Sequence, residues 1–388
     1  MLAIPPFGAS SNIALWRANI KPPVELVVDD LDKSTEVDRM LVKKIAIYGA
    51  QMVAVSVYYA IKTLYPDCQV VAFVVSERIG NPLSIDGIPV VALQEFNIKD
   101  VQFLIATPEN VHEDIVNELK KNGISDYICI DSVKEAALME KYYTVTEKFL
   151  PLHSLMQGNK KAELTVFMSK FYKDQTLKKQ YKIPDWVHPI QAGAALTDVR
   201  VAALRDDEGD NISAKNGNYS ELSAMYWIGK HADSDYLGLF HYRRILDVTE
   251  EDLYRIMEND IDVILPYPTI HYPNIYEHHK RYLKEQDWQA MLQALRECEP
   301  SYAGKLPAIF EGQYFYNYNM LIAKRKVFKD YCDWLFPILK RVEELSTPKG
   351  SERADRYIGY LGENLTTLYF MIHKEDLKIA HTGRLMLI

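Results

Sequence analysis

From Lys44 onward the chain alternates short apolar runs with longer stretches in which apolar residues recur every three or four positions. Ile45-Ala46-Ile47-Tyr48 reads as a buried strand, Gly49-Ala50-Gln51 as a turn, and the segment from about Met52 to Leu64 as a helix. Further strands are predicted at 70–75, 103–106 and 127–130, and helices at 111–121 and 132–142. Strands that alternate with helices predict a doubly wound parallel sheet, so 41–145 is expected to be a Rossmann-like α/β domain. A charged, tyrosine-rich connector at 141–161, with Pro151 and Gly158-Asn159, leads to a second set of elements. These are strands at 164–168, 236–240 and 262–266, and helices within 219–230, 249–258, 275–298 and 326–345. They define a second α/β domain at 160–388. Residues 1–40 lack periodicity and are expected to form an extension.

Composition narrows the function classes. The formal net charge is −8, and a general nucleic-acid binder would need a basic footprint. Cys68, Cys129, Cys298 and Cys332 show no metal-finger spacing and sit among apolar neighbours, so they are expected to be buried free thiols of a reducing compartment. The start, Met1-Leu2-Ala3-Ile4-Pro5-Pro6, lacks the charged and apolar regions of a signal peptide, and a cytoplasmic protein is expected.

One segment points to chemistry. Gly238-Leu239-Phe240-His241-Tyr242-Arg243-Arg244 is an apolar strand that ends in an imidazole and two guanidiniums. Ligands of open α/β sheets collect beyond the carboxyl ends of strands, and Arg matches phosphate oxygens with a planar charged fork. If extension continued, His241 and Arg243 would share a face and Arg244 would point elsewhere. Arg243 is then the first phosphate ligand and Arg244 the second, or else the partner of a structural salt bridge.

With Asn216-Gly217-Asn218-Tyr219-Ser220-Glu221-Leu222 and Tyr226-Trp227-Ile228-Gly229-Lys230 before it, and Gly359-Tyr360-Leu361-Gly362-Glu363-Asn364-Leu365 after it, the segment resembles a bacterial family of capsular and exopolysaccharide glycosyltransferases. That family, long catalogued as a domain of unknown function, carries KNxxYxELxxxYWIWK-like, DYxGLxHYRR and GFxxExL motifs. The resemblance runs from about Leu164 to the end. Two positions depart from it: Ser169-Lys170 stands where members often have His-Lys, and Gly229 stands for the second Trp of the helix motif. The 41–145 module is similar to the Rossmann-like module of sugar-modifying acyltransferases, with Gln51 in place of the second glycine of GAGxxA, where a pyrophosphate would need close backbone approach.

The resemblance implies a GT-A-like α/β transferase domain, a nucleotide-sugar donor, mostly uridine-diphosphate-linked with galactose in either ring form, and a lipid-linked oligosaccharide acceptor. Peripheral contact with the inner membrane face and with other polysaccharide-synthesis proteins goes with it. Ser169, Lys170 and the Gly193 loop are then expected to line the nucleotide slot. His241 would donate a hydrogen bond to the diphosphate or ligate a metal. In Asp206-Asp207-Glu208-Gly209-Asp210, Asp207 is the candidate for substrate or for Mn²⁺ or Mg²⁺, with a solvated turn as the competing use. Asn216 and Glu221 flank a helix start and serve either donor recognition or the helix dipole. Asn319 is a polar insertion in an aromatic strand. Glu363, expected at a helix start beside glycines, is the general-base candidate, or simply a neighbour of the helix cap. Two other readings remain: a non-catalytic assembly or regulatory protein, and a nucleotide-sugar oxidoreductase acting through the first domain.

Overall fold

The computed structural model describes residues 44–353 and 355–388, so the expected 1–40 extension lies outside the described residues. The first layer is built from β1 (Lys44–Tyr48), α1 (Met52–Leu64), β2 (Gln69–Val75), β3 (Ser84–Ile85), β4 (Ile88–Ala92), β5 (Gln102–Ile105), α2 (His112–Lys121), β6 (Tyr127–Cys129) and α3 (Ser132–Thr146). Its strands run in the order β3-β4-β2-β1-β5-β6, all parallel except the β3–β4 hairpin. Continuous apolar runs such as Ile45-Ala46-Ile47 are buried on both faces, as a helix-covered parallel sheet requires. Asp131 caps α3 by accepting from the Lys134 backbone N–H.

The stretch expected as a connector carries the last turns of α3 and then β7 (Leu150–Pro151), which joins a second sheet. That sheet contains β8 (Leu164–Lys170), β9 (Val187–Gln191), β10 (Leu204–Arg205), β11 (Tyr236–His241), β12 (Arg244–Leu246), β13 (Val263–Pro266), β16 (Leu321–Lys324), β17 (Ile379–Thr382) and β18 (Arg384–Met386). A separate two-stranded piece pairs β14 (Thr269–Ile270) with β15 (Tyr314–Phe315). The main order is β10-β9-β8-β11-β16-β13-β17-β7, parallel throughout apart from β16, which runs antiparallel to both neighbours. This is the two-sheet α/β architecture expected, a Rossmann-like parallel sheet followed by a second, mainly parallel one. The helices are α4 (Asn216–Tyr219), α5 (Leu222–His231), α6 (Glu250–Glu258), α7 (Ile275–His279), α8 (Glu285–Cys298), α9 (Pro300–Phe310), α10 (Arg325–Leu345) and α11 (Tyr357–Ile372).

The largest core lies between this sheet and α5, α8, α10 and α11, where Trp288, Leu335, Leu365 and Phe370 are completely buried. Each such side chain contributes about 2–3 kcal/mol by leaving water. Two predicted helices differ from expectation. The one at 219–230 breaks at Ser220, whose φ is +52°, into α4 and α5, and the one at 275–298 breaks between α7 and α8. All four cysteines are free; Cys332 is buried, but Cys298 is exposed, against the expectation of four buried thiols.

Candidate functional site

The carboxyl ends of β8, β9 and β11 and the amino end of antiparallel β16 meet at one edge of the second sheet. His241 closes β11, but extension does not continue past it. Tyr242 and Arg243 form a tight turn, and Arg244 returns on β12 directly opposite His241. Directly opposed residues share a face of the sheet, so Arg244, rather than Arg243, lies with His241. This corrects the expected alternation.

A second tight turn faces the first. Tyr318 and Asn319 have φ of +73° and +49°, in the left-handed region that costs non-glycine residues about 1 kcal/mol or more each. Polar partners hold the turn. The His241 Nε2–H donates to the Tyr318 carbonyl at 2.7 Å, the Tyr318 backbone N–H donates to Glu363, and Asn319 Nδ2 donates to Glu221 Oε1 at 2.7 Å. Arg244 and Arg384 both lie over the Tyr318 ring, at 4.4 and 4.9 Å from its centroid.

Glu363 is the centre of this cluster. It stands within α11 rather than at its start, which corrects the sequence expectation, and it is partly buried. Burial and the neighbouring Glu221 carboxylate push its pKa up to about 8, against the Tyr318 N–H, Arg244 and the Asn317 amide, which favour the charged form. Asn317 in turn accepts from Thr269, whose hydroxyl meets His271 Nε2 at 2.9 Å. Burial also lowers the pKa of His241 and keeps it neutral. Its Nε2–H is occupied by the Tyr318 carbonyl, so that proton is not offered to a ligand, and Nδ1 is left as the acceptor.

A cationic group adjoins the cluster. Lys170 at the end of β8, Arg243 in the turn and Arg356 before α11 act together on the half-buried Asp174, whose carboxylate accepts from the Phe171 N–H at 2.7 Å. Arg243 Nε is buried without a hydrogen-bond partner.

Other candidates serve the scaffold. Gly193 has φ +65°, and its N–H and that of Ala194 donate to the fully buried Asp206, as do the hydroxyls of Ser213 and Ser223. A Cβ at Gly193 would come within 2.8 Å of Asn216, whose amide is itself spent on Ser220 O and Ser223 Oγ. Gly193 and Asn216 therefore brace the loop after β9 rather than line a slot. Asp207 pairs with Arg205 at 3.2 Å. Asn319 is completely buried and braces Glu221 and the Gly359 carbonyl. Asp233-Ser234-Asp235 is a turn before β11 at the far edge, where Asp233 pairs with Arg325. Among the described residues no group of three or more His, Cys, Asp or Glu is placed to hold a metal ion, and Asp206 has its carboxylate filled by four donors.

Reasoning from sequence missed Tyr318, Asn317, Arg384, Asp174 and Arg356. Two asparagines flanking Tyr318 inside an aromatic run were a usable signal for a turn, since Asn tolerates left-handed backbone. Nothing local marked Arg384. In the first layer, Gln51 bonds Asn81 Oδ1 at 2.6 Å across the loops at the carboxyl edge.

A family model described as a domain of unknown function, DUF4422, matches residues 175–375. No curated protein matches the chain. The apo structure of the WbbM bifunctional glycosyltransferase is similar at 26% sequence identity and a TM-score of 0.49, over 58% of this chain and 45% of that one. The chain thus spans less than half of that protein's length.

Proposed function

The chain belongs to the DUF4422 family, a domain of unknown function, and we propose that it is a glycosyltransferase moving a sugar from a nucleotide-sugar donor to a growing surface polysaccharide. The observation that carries this reading is Glu363: a carboxyl with its pKa raised to about 8, held at the carboxyl edge of a parallel sheet beside a group of cations. Glycosyl transfer needs a group to take the acceptor proton and positive charge for the leaving diphosphate. A carboxyl poised near neutral pH suits the first, and Glu363 is assigned as general base. Arg243, with its unpartnered buried Nε, is assigned with Lys170 and Arg356 to the diphosphate. Arg244 and His241 shape the base: the first by its charge, the second by fixing the Tyr318 turn.

The donor proposed is a uridine-diphosphate sugar, with galactose or galactofuranose as the sugar. The acceptor proposed is a lipid-linked capsular, exopolysaccharide or O-antigen chain at the inner membrane face, met by a cytoplasmic protein in peripheral contact. No helix among the described residues is long and apolar enough to cross a membrane. The described acidic residues offer no ready Mn²⁺ or Mg²⁺ site, so no step is assigned to a metal.

Glu363→Gln separates base from binding residue. It keeps shape and hydrogen-bonding capacity but cannot take a proton at neutral pH. Turnover, followed as nucleotide release with acceptor present, should vanish while calorimetric donor affinity persists. Persisting turnover would remove Glu363 from the chemistry, and loss of donor binding would place it in the donor pocket.

A further inference from the structure

The first layer reaches this cluster. Helix α3 meets β18 and the glycine before it at three points: Ser132 Oγ accepts from the Met386 N–H at 2.9 Å, Ala136 packs over Gly383, and Glu135 meets Arg384 at 3.5 Å. A Cβ at Gly383 would lie 2.3 Å from that of Ala136, so the close approach of helix and strand depends on the missing side chain. Glu135 and Arg384 each keep only 13% of the side chain exposed, and solvent screens the pair weakly. Arg384 is also the guanidinium that lies 4.9 Å from the Tyr318 ring centroid, next to Arg244.

We infer that Glu135 is a positioning residue for the site: its carboxylate holds Arg384 over Tyr318 and thereby fixes the left-handed turn that binds His241 and Glu363. Buried ion pairs contribute little net stability, because desolvation offsets most of their attraction, so the pair has scant value as a mere fastener. Its value lies in where it points. The first layer, on this view, completes the cluster around Glu363 instead of being appended to it. The inference takes the function of the pocket from the transferase reading, but its geometry stands without it.

The groups that face Glu363 define the test. They are Glu221 at the start of α5, Arg244 on β12, Arg384 on β18, Tyr282 after α7 with Arg281 beside it, and Asn317 and Tyr318 in the turn. Glu135 keeps Arg384 at the turn; without its carboxylate that cation is no longer held there, and ionised Glu363 loses a favourable charge. The full-length wild type, Glu135→Gln, Glu135→Asp and Glu363→Gln proteins are compared by infrared titration of the protonated carboxyl band that Glu363→Gln abolishes. Glu135→Gln should raise the Glu363 midpoint by about half a pH unit or more, as loss of the Arg384 cation from the turn would, while Glu135→Asp stays closer to wild type. A folded Glu135→Gln protein with an unmoved midpoint overturns the inference. If Glu135→Gln does not fold, Arg384→Gln takes its place and should raise the midpoint; no change there overturns the inference too. A transfer assay with UDP-hexoses runs in parallel. A shifted midpoint without transfer would sink the transferase reading and keep the positioning role, and transfer with an unmoved midpoint would do the reverse.

Discussion

Replacing Glu363 by Gln should abolish a pH-dependent loss of stability that the wild type cannot avoid. The pKa of Glu363 stands at about 8 in the folded chain against an ordinary 4.5. Below 4.5 the folded and unfolded chains both keep the proton, and Glu363 carries no penalty. As pH rises from 4.5 to 8 the unfolded chain ionises freely while the folded one holds its proton, so folding loses stability steadily, and above 8 the loss levels off. At about 1.4 kcal/mol per unit the full loss reaches up to about 5 kcal/mol. For 388 residues, with an unfolding entropy of about 2.1 cal/mol/K each, that corresponds to a shift of up to about 6 °C in Tm. The measurement is the difference in Tm between Glu363→Gln and wild type at pH 5 and at pH 9, by calorimetry on the full chain. Titrating groups that do not act on Glu363 are common to both proteins and cancel. The variant should gain on the wild type by several degrees at the higher pH. A difference that is the same at both values would refute the placement of Glu363 in a desolvated, anion-hostile cluster, and with it the argument for a base poised near neutrality.

Arg243→Ala should fold normally, judged by circular dichroism, yet lose calorimetric binding of inorganic pyrophosphate and transfer more slowly by about 10²–10³-fold; Arg243→Lys should recover only part, lacking the bidentate fork. Undiminished turnover in folded Arg243→Ala would remove it from the anion site. Gly193→Ala, which places a Cβ against Asn216 on backbone with φ +65°, should cost about 1–3 kcal/mol in urea unfolding, and a neutral result would count against the tight loop. Asp206→Ala should cost about 3 kcal/mol or more in the same assay, because Gly193, Ala194, Ser213 and Ser223 lose their common acceptor.

The α/β class was legible because its signal is local. Runs such as Val70-Val71-Ala72-Phe73-Val74-Val75 can satisfy their burial only inside a helix-covered sheet, and the helix Met52–Leu64 has the expected bounds. What escaped was decided at a distance. Ser220 breaks a helix that periodicity alone would continue, since its carbonyl is held by the Asn216 amide and the chain must swing Glu221 toward Asn319. The site was legible as a set of residue types: His241, Arg244, Glu221, Asn319 and Glu363 do converge. Their division of labour was not. Whether Asn216 faces a ligand or Ser223 depends on tertiary neighbours, and Arg384, remote from every motif, becomes part of the cluster only because β18 pairs with β12. The hairpin at Tyr242-Arg243 turned an expected alternation into a cross-strand pair, which no spacing rule along one strand could foresee.

The reversed strand β16 has a topological consequence. In a sheet whose members all point the same way, the active rim receives only the outgoing ends of strands, and whatever side chains the chain carries there must be followed by a loop. A strand laid the other way enters at that rim. Its approach segment, Asn317-Tyr318-Asn319, can therefore be tightly folded immediately before regular pairing begins at Leu321. One inverted element thus brings to the rim a backbone carbonyl for His241, an amide N–H for Glu363 and a carboxamide for Glu221, all from two consecutive residues, Tyr318 and Asn319, just before the paired strand begins. Sequence change in the outgoing loops can then alter the rim while leaving the Tyr318 turn and its contacts to His241, Glu363 and Glu221 on an independent foundation.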